Sequence, residues 1–294
     1  MRKIALLAVV AFAAACGSSS STPGTGYLRV ANLAPDVPTI DFCVRMSGTT
    51  TWSAPVMAGV SATAGIVYGG TGAQAGLLQM SKYFPYEAGT YDVAVFNKAL
   101  LGASCANPQK TLSNLALGDG TYKLVALVGI PAGTGTAATD EKLVAFTDMA
   151  TAPAGKAAVR VVNAGILAIP STTPDVLPAF DLGVTVSTVY TKIFGNVVYP
   201  TFAATGVDAN GYAALDPASL PSSGLLLTVC VPAGSTPTTG QCQSTQVPAG
   251  SITANIVASV YVIGKAPLAP GALFCGDTTP AAVPNYSACT SALQ

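Results

Sequence analysis

The sequence contains no histidine. Histidine is the usual general base near neutral pH, the partner of catalytic serine or cysteine, and the commonest zinc ligand. Its absence therefore excludes Ser-His and Cys-His dyads and His-ligated zinc. A Cys-x-x-Cys pair is missing as well, so the pattern favours neither a redox motif nor a cysteine metal site. No metal or cofactor is predicted.

Charge is also scarce. Charged residues make up 9% of the chain, with 13 basic and 13 acidic residues. A nucleic-acid partner would require a basic face to neutralise its phosphates, and this balance argues against one. Long hydrophobic runs are absent after residue 15, because Gly and Pro interrupt the apolar half of the sequence. No run there approaches the roughly 20 residues of a membrane-spanning helix.

The N-terminus predicts export. Met1-Arg2-Lys3 is basic, residues 4–15 are apolar, and Ala13-Ala14-Ala15 precedes Cys16. This order is typical of a signal peptide, and the small residues before Cys16 resemble a bacterial lipobox, in which that cysteine is acylated. Residues 1–15 are therefore predicted to be a lipoprotein signal peptide. Ordinary cleavage at the same site, which releases a soluble protein, is the alternative.

The residues after Cys16 fit a lipid anchor. Residues 16–26 are rich in Gly, Ser and Thr, which predicts a flexible tether between acyl chains in the membrane and a folded part beyond it. Gly17 stands where an Asp resembles an inner-membrane retention signal. We therefore expect a lipid-anchored protein of the outer membrane, on its periplasmic side or at the cell surface.

A short motif occurs twice in the chain. An apolar run that contains one arginine, at 28–32 and again at 159–163, is followed each time by a Pro-Asp pair and a second apolar run. We interpret Arg29 and Arg160 as outward-pointing side chains on half-buried strands. The repeat predicts two similar units, 27–150 and 156–275, followed by a C-terminal tail at 276–294.

Strand signals dominate both units. Short runs of period two are separated by Gly, Pro and Asp turns, and no convincing helical period is present. This pattern predicts an all-β chain of two tandem immunoglobulin-like antiparallel β-sandwich domains. An outer-membrane β-barrel is the alternative, against which stand the frequent strand interruptions and the lack of aromatic girdles.

Six cysteines remain if Cys16 carries lipid: Cys43, Cys105, Cys230, Cys242, Cys275 and Cys289. An even number in an exported chain predicts three disulfides, for which the sequence alone permits many connectivities. In the aligned repeats Cys105 and Cys242 occupy matching loops, and Gly183 stands opposite Cys43. The first unit then has only Cys43 to pair with Cys105. Cys242 is left to pair with Cys230, and Cys275 with Cys289.

The motifs of the first unit resemble a known family. They are the run at 28–38, the Glu-Ala-Gly-Thr-Tyr turn at 87–91 and the Gly-Thr-Tyr-Lys turn at 120–123. They are similar to the bacterial surface-domain family called domain of unknown function 4397. The second unit departs from the pattern, with an insertion at 165–173. The resemblance implies an exported, often tandem, immunoglobulin-like domain, and the family supplies no catalytic residues.

Recurring carboxylates are the sharpest polar signal: Asp36, Asp41, Asp175 and Asp181. Carboxylates close together are used by calcium sites and by glycosidases. The alternative is structural, with Asp36 and Asp175 bonding their own backbone in turns and Asp41 and Asp181 fixing the start of a strand. We favour the structural interpretation, because calcium requires about 6–8 oxygens and few other acids lie nearby.

Trp52 lies in a polar loop and is the aromatic residue to test first as a ligand contact, together with Asp36 and Asp41. Packing over the end of the sandwich is the alternative. These features predict a non-enzymatic envelope module for surface binding, adhesion or structure, whose partner is an envelope protein or a glycan. Loops and exposed edge strands are the expected contact sites. An exported carbohydrate-active hydrolase using Asp36/Asp41 or Asp175/Asp181 is the alternative.

Overall fold

The structure is a computed structural model that describes residues 24–61, 64–68, 77–78, 80–100, 105, 107–167, 173–186, 188–220, 226–234, 236, 241–246, 252–264, 271–277 and 289–292. The predicted signal peptide, the acylation site Cys16 and most of the predicted tether lie outside these residues. No helix in the described part of the chain has the length and apolar character of a membrane span.

The first unit is built from nine strands and one short helix. The helix, α1, spans Val56–Val60. The strands are β1 (Thr25–Asn32), β2 (Ile40–Met46), β3 (Gly65–Ile66), β4 (Leu77–Leu78), β5 (Phe84–Glu87), β6 (Gly89–Asn97), β7 (Lys110–Leu117), β8 (Tyr122–Val128) and β9 (Lys142–Asp148). They form two sheets, with strand orders β5-β1-β8-β9 and β4-β3-β2-β6-β7.

The second unit repeats this plan with additions. Its strands are β10 (Ala157–Asn163), β11 (Ile166–Leu167), β12 (Asp175–Val176), β13 (Phe180–Val186), β14 (Val189–Val197), β15 (Ala203–Thr205), β16 (Tyr212–Leu215), β17 (Leu226–Val231), β18 (Gln241–Gln246), β19 (Val257–Ile263), β20 (Gly271–Gly276) and β21 (Cys289–Ala292). The two main sheets have the orders β16-β10-β19-β20-β21 and β15-β14-β13-β17-β18, and β11 pairs with β12. Short 3-10 helices span Lys98–Leu100, Ala137–Thr139 and Pro217–Ser219.

The prediction of an all-β fold with sandwich units is confirmed, but two details differ. The pairs β1–β8 and β10–β19 are parallel, so the sheet that holds each of them is mixed and not purely antiparallel. The segment 276–294 is also more than a tail, because β21 pairs with β20. Its regular structure was missed because its four residues are too short for a periodic signal.

The units pack together as four layers with three apolar cores. Within unit 1, Leu28 and Val30 of β1 face Phe42 and Val95 of the other sheet. An equivalent core fills unit 2. The third core lies between the units and joins buried residues of both, as in Ala31, Leu124, Val162, Tyr261 and Leu273. Side chains alternate along a strand, so β1 and β8 serve their own core with one face and unit 2 with the other.

Disulfides join Cys43 to Cys105, Cys230 to Cys242 and Cys275 to Cys289. These are the three pairs that the aligned repeats predict. Two of them link directly opposed residues on neighbouring strands, β17 with β18 and β20 with β21. The first disulfide connects β2 to the loop before β7, beneath Trp52. Each unit therefore has a covalent bond inside its own sheets, and none of the three crosses between units.

Candidate functional site

Asp41 is buried, and its carboxylate binds the start of α1. Its Oδ1 accepts hydrogen bonds from the backbone N–H of Phe42 at 2.7 Å and of Met57 at 2.8 Å. Its Oδ2 accepts one from the N–H of Ala58 at 2.9 Å. A helix begins with N–H groups that lack partners inside the helix, and Asp41 supplies an acceptor for two of them. This is the structural role that the sequence favoured for Asp41.

Asp181 holds the corresponding position in unit 2 with different partners. Its carboxylate accepts hydrogen bonds from the N–H of Asn196 and of Gly234, both at 2.8 Å, and from Lys192 Nζ at 3.2 Å. Burial by itself raises the pKa of Asp181, but these three donors outweigh burial and lower it. Asp181 therefore connects β13 to β14 and to the loop after β17.

Asp36 and Asp175 are exposed, unlike Asp41 and Asp181. Asp36 lies in a turn with φ 67°, a left-handed conformation that Asp tolerates better than most residues. Asp175 lies in β12, and its Oδ1 accepts from the N–H of Val176 and from the hydroxyl of Thr136 in unit 1. Each pair of carboxylates is thus divided between a buried structural group and an exposed one.

Trp52 is partly buried against the Cys43–Cys105 disulfide. The guanidinium of Arg45 lies over its ring, 4.3 Å from the centroid, and Arg45 Nε bonds Asp92 Oδ2 at 3.0 Å. The serine hydroxyl of Ser47 is the main cause of the lowered pKa of Asp92, with the N–H of Asn114 and Arg45 adding to it. Trp52 therefore packs over the outer sheet of unit 1, with part of its surface open to solvent.

The strongest polar cluster lies between the two units and was missed by the sequence analysis. We call it the inter-unit ion network; it consists of Arg29, Tyr83, Asp148, Arg160, Tyr212, Ser259 and Asp277. All four charged side chains are buried. The prediction that Arg29 and Arg160 point into solvent is wrong, because the face of each strand that turns away from its own sandwich is covered by the other unit.

Asp148 is the centre of the network. Its Oδ2 accepts from Arg29 Nε at 2.9 Å and from the Tyr83 hydroxyl at 2.5 Å, and its Oδ1 accepts from Arg160 Nη2. One carboxylate of unit 1 is therefore paired with an arginine from each unit. Burial alone raises the pKa of Asp148, but the two guanidinium groups outweigh burial and hold it below its usual value.

Asp277 completes the network from the end of β20. Its carboxylate accepts from Arg29 Nη2, from the Tyr212 hydroxyl at 2.9 Å and from the Ser259 hydroxyl at 2.5 Å. Arg160 Nε donates to Ser259 Oγ at 3.1 Å. Each guanidinium also lies 4.7 Å from the ring of its own unit's tyrosine, Arg29 over Tyr83 and Arg160 over Tyr212. Two positive and two negative charges thus balance inside the protein.

The network is a duplicated Arg-Tyr-Asp set. Tyr83 and Tyr212 are 129 residues apart, as are Asp148 and Asp277, and the two arginines are 131 residues apart. This common offset is the signal that could have revealed the set from the sequence. It was missed because the tyrosines and aspartates lie outside the motif that carried the repeat.

Replacing Asp41 with alanine is expected to lower the free energy of unfolding by about 1–3 kcal/mol, because three buried N–H groups lose their acceptor. Urea denaturation of the variant and of wild type measures the difference. Asp119→Ala is the matched control, since Asp119 accepts one exposed hydrogen bond from Thr25. An equal loss in both variants would contradict the capping role of Asp41.

The stability of the protein is expected to be flat from about pH 8 to pH 5 and to fall below about pH 4. No histidine titrates in the upper range. Asp148 and Asp181 have folded-state pKa values below normal, so their contribution is complete above the unfolded value of about 3.9 and is lost as pH falls through the folded value. Urea midpoints across this range measure the profile, and Asp148→Asn should flatten its acid limb. A midpoint that falls between pH 7 and pH 5 would be inconsistent with this assignment.

The described residues contain no group of three or more His, Cys, Asp or Glu side chains that could hold a metal ion. The geometry identifies two other features: a rigid joint between the units and the outer surfaces around it. Comparison with known proteins assigns the first unit. Residues 26–169 match the family model described as Domain of unknown function (DUF4397). This part of the chain is a DUF4397-like domain.

The DUF4397 match covers unit 1 and the first strands of unit 2. It includes Arg29, Tyr83, Asp148 and Arg160, whereas Tyr212 and Asp277 lie beyond it. The second unit nevertheless has the same strand plan as the DUF4397-like domain, including the parallel pairing of its first strand with β19. Shared topology and the duplicated network thus relate the units where the sequence match ends.

No curated protein matches the chain in sequence. Among solved structures, it is similar to the tip fimbrial protein Mfa3 from Porphyromonas gingivalis, with 10% identity, 91% of this chain and 98% of that chain covered, and a TM-score of 0.20. A leucine-rich repeat protein from Bacteroides thetaiotaomicron VPI-5482 shares 13% identity, with 83% and 27% covered and a TM-score of 0.19. At these scores neither likeness carries an argument about function.

Proposed function

We propose that the protein is a non-enzymatic module of the bacterial envelope that binds an envelope protein or a glycan at the cell surface or serves as a structural part of an assembly. It is held at the outer membrane by acyl chains on Cys16. The N-terminal pattern of a basic start, an apolar segment and small residues before Cys16 supports the anchor. Nucleic acid is not its partner, because the chain has no excess of basic residues.

The use of the carboxylates is the observation that carries the non-enzymatic part of this proposal. Asp41 and Asp181 would be required by a hydrolase of either unit, yet backbone N–H groups occupy the carboxylates of both. Asp148 and Asp277 neutralise the two buried arginines. These acids therefore stabilise the fold, and the two units form one body that presents loops and edge strands at a fixed spacing.

Labelling with a radioactive fatty acid in a bacterial host tests the anchor. The full chain is expected to incorporate label and to sediment with membranes, and Cys16→Ala is expected to lose both properties. Ser19→Ala is the matched control and should behave as wild type. Full labelling of Cys16→Ala would overturn the anchor.

Binding and turnover are then compared on the soluble protein from residue 17. It is expected to bind an immobilised envelope extract or glycan array and to release no product from polysaccharide substrates. Hydrolysis that disappears in Asp41→Asn or Asp181→Asn, at an unchanged melting temperature, would replace this proposal with the hydrolase alternative.

A further inference from the structure

The outer edge of β9 is a regular row of backbone groups with one side unpaired. Leu33 N–H bonds the carbonyl of Leu127, and Tyr27 N–H bonds that of Thr121, so the odd-numbered residues of β8 face β1. The even-numbered residues of β8 therefore face β9, and their partners in the register are even-numbered as well. Because hydrogen bonding alternates along an antiparallel pair, Leu143, Ala145 and Thr147 direct their N–H and C=O groups away from β8.

Within the described ranges, β9 is the last strand of its sheet. One of its outward groups has a partner, since Arg160 Nη1 donates to the carbonyl of Thr147 at 3.0 Å. The groups of Leu143 and Ala145 have no partner in the part of the chain that the structure describes. Ala145 is exposed, and β9 pairs with β8 over all seven residues without a bulge.

The equivalent edge in unit 2 is occupied. Asp148 corresponds to Asp277, and the same offset of 129 residues relates Leu143 to Ala272 and Ala145 to Phe274. Ala272 and Phe274 lie on β20, where β21 pairs with them as an antiparallel strand, with Ala292 opposite Ala272 and Thr290 opposite Phe274. The repeat therefore shows which kind of group this edge accepts, namely one extended antiparallel segment.

Other edges of unit 1 carry features that discourage strand addition. β5 has four residues and contains Pro85, and proline cannot donate to a ladder. β7 is interrupted at a register shift and by Asn114, which has φ 60°. Natural edge strands are commonly protected by proline, bulges or shortness. The central residues of β9, Leu143 to Phe146, have none of these protections and no charge.

We propose that β9 is an acceptor edge that binds an extended segment of a partner protein by antiparallel strand addition. The segment has the chemistry of β21, with small and hydroxyl-bearing residues, except at one position. Ala145 stands where unit 2 has Phe274, so the partner carries a bulky apolar residue opposite Ala145. That residue covers Leu143 and Leu112, which are partly exposed at the border of the first core. The inference rests on the proposed binding function and names its site.

Selection from a displayed library of random dodecapeptides on the folded full-length protein tests the proposal. Enriched peptides are expected to have alternating β-formers with a central aromatic or large aliphatic residue. Ala145→Pro should weaken their binding at least 10-fold, because it removes the central N–H from an edge that tolerates proline. Ala145→Thr keeps that N–H and should change binding less than 2-fold. Melting curves of both variants report their folding.

Amide hydrogen exchange on the wild type provides a readout that does not depend on a variant. Bound peptide should slow exchange at Leu143 and Ala145 at least 10-fold, with no change at Ser244 on β18. Failure to enrich a peptide, binding that Ala145→Pro leaves intact, or unchanged exchange at the two amides would overturn the proposal. A wild-type dimer in sedimentation that Ala145→Pro abolishes would also overturn it, because the occupant would be a second copy. If Ala145→Pro still binds envelope extract, the β9 site is wrong and the proposed function stands.

Discussion

Asp148→Ala is expected to lower the free energy of unfolding by about 3–5 kcal/mol, the range for breaking a buried ion pair by removing one partner. The loss is large because Asp148 neutralises arginines from both units. Without it, Arg29 keeps Asp277, but Arg160 has no carboxylate partner among the described contacts. Two buried guanidinium groups then share one negative charge.

Urea denaturation followed by tryptophan fluorescence and calorimetry measures this effect. Asp216→Asn is the control, since the Lys156–Asp216 pair at 2.9 Å is solvent-exposed, and such pairs contribute little to stability. Calorimetry should also change from one transition to two, because the network joins units that each have a core of their own. A loss no larger than that of Asp216→Asn would show that the network does not stabilise the joint.

Removing the Cys43–Cys105 disulfide is expected to cost about 4 kcal/mol in the chain-entropy description, because it closes a loop with a sequence separation of 62. The double variant Cys43→Ala/Cys105→Ala leaves no free thiol, which makes denaturation reversible to interpret. The near-ultraviolet signal of Trp52 should weaken as well, since its ring packs on this disulfide.

The double variant Cys230→Ala/Cys242→Ala is the matched comparison. Its loop has a sequence separation of 12, so the expected cost is about 3 kcal/mol. Denaturation midpoints under non-reducing conditions rank the two variants. A larger loss for the shorter loop would contradict the entropic ranking and would indicate that packing around Cys230 matters more than loop closure.

Local patterns predicted much of the fold. Alternating apolar residues and Gly, Pro and Asp turns indicated most strands, and the spacing of β2 and β13 within the repeats was found from the sequence. Short strands such as β15 and β21 were missed, because three or four residues give no periodic signal. The disulfide pairs were also predicted, since the repeat alignment restricts which cysteines lie on neighbouring strands.

The candidate sites were predicted less evenly. Asp41 and Asp181 were recognised as structural carboxylates, but their partners, the first turn of α1 and the loop containing Gly234, are remote in the chain. Arg29 and Arg160 were assigned to solvent. A period-two pattern shows which residues leave their own sandwich and does not show what covers them.

The amino-acid sequence by itself determined that this protein is all-β, that it is built as a repeat, and that its first half resembles the DUF4397 family, because these properties depend on local periodicity and on motifs. Only the tertiary structure decided that the repeats share a core and a buried ion network. That outcome depends on groups up to 248 residues apart, such as Arg29 and Asp277. It also depends on the balance between removing charges from water and pairing them, which no local pattern encodes.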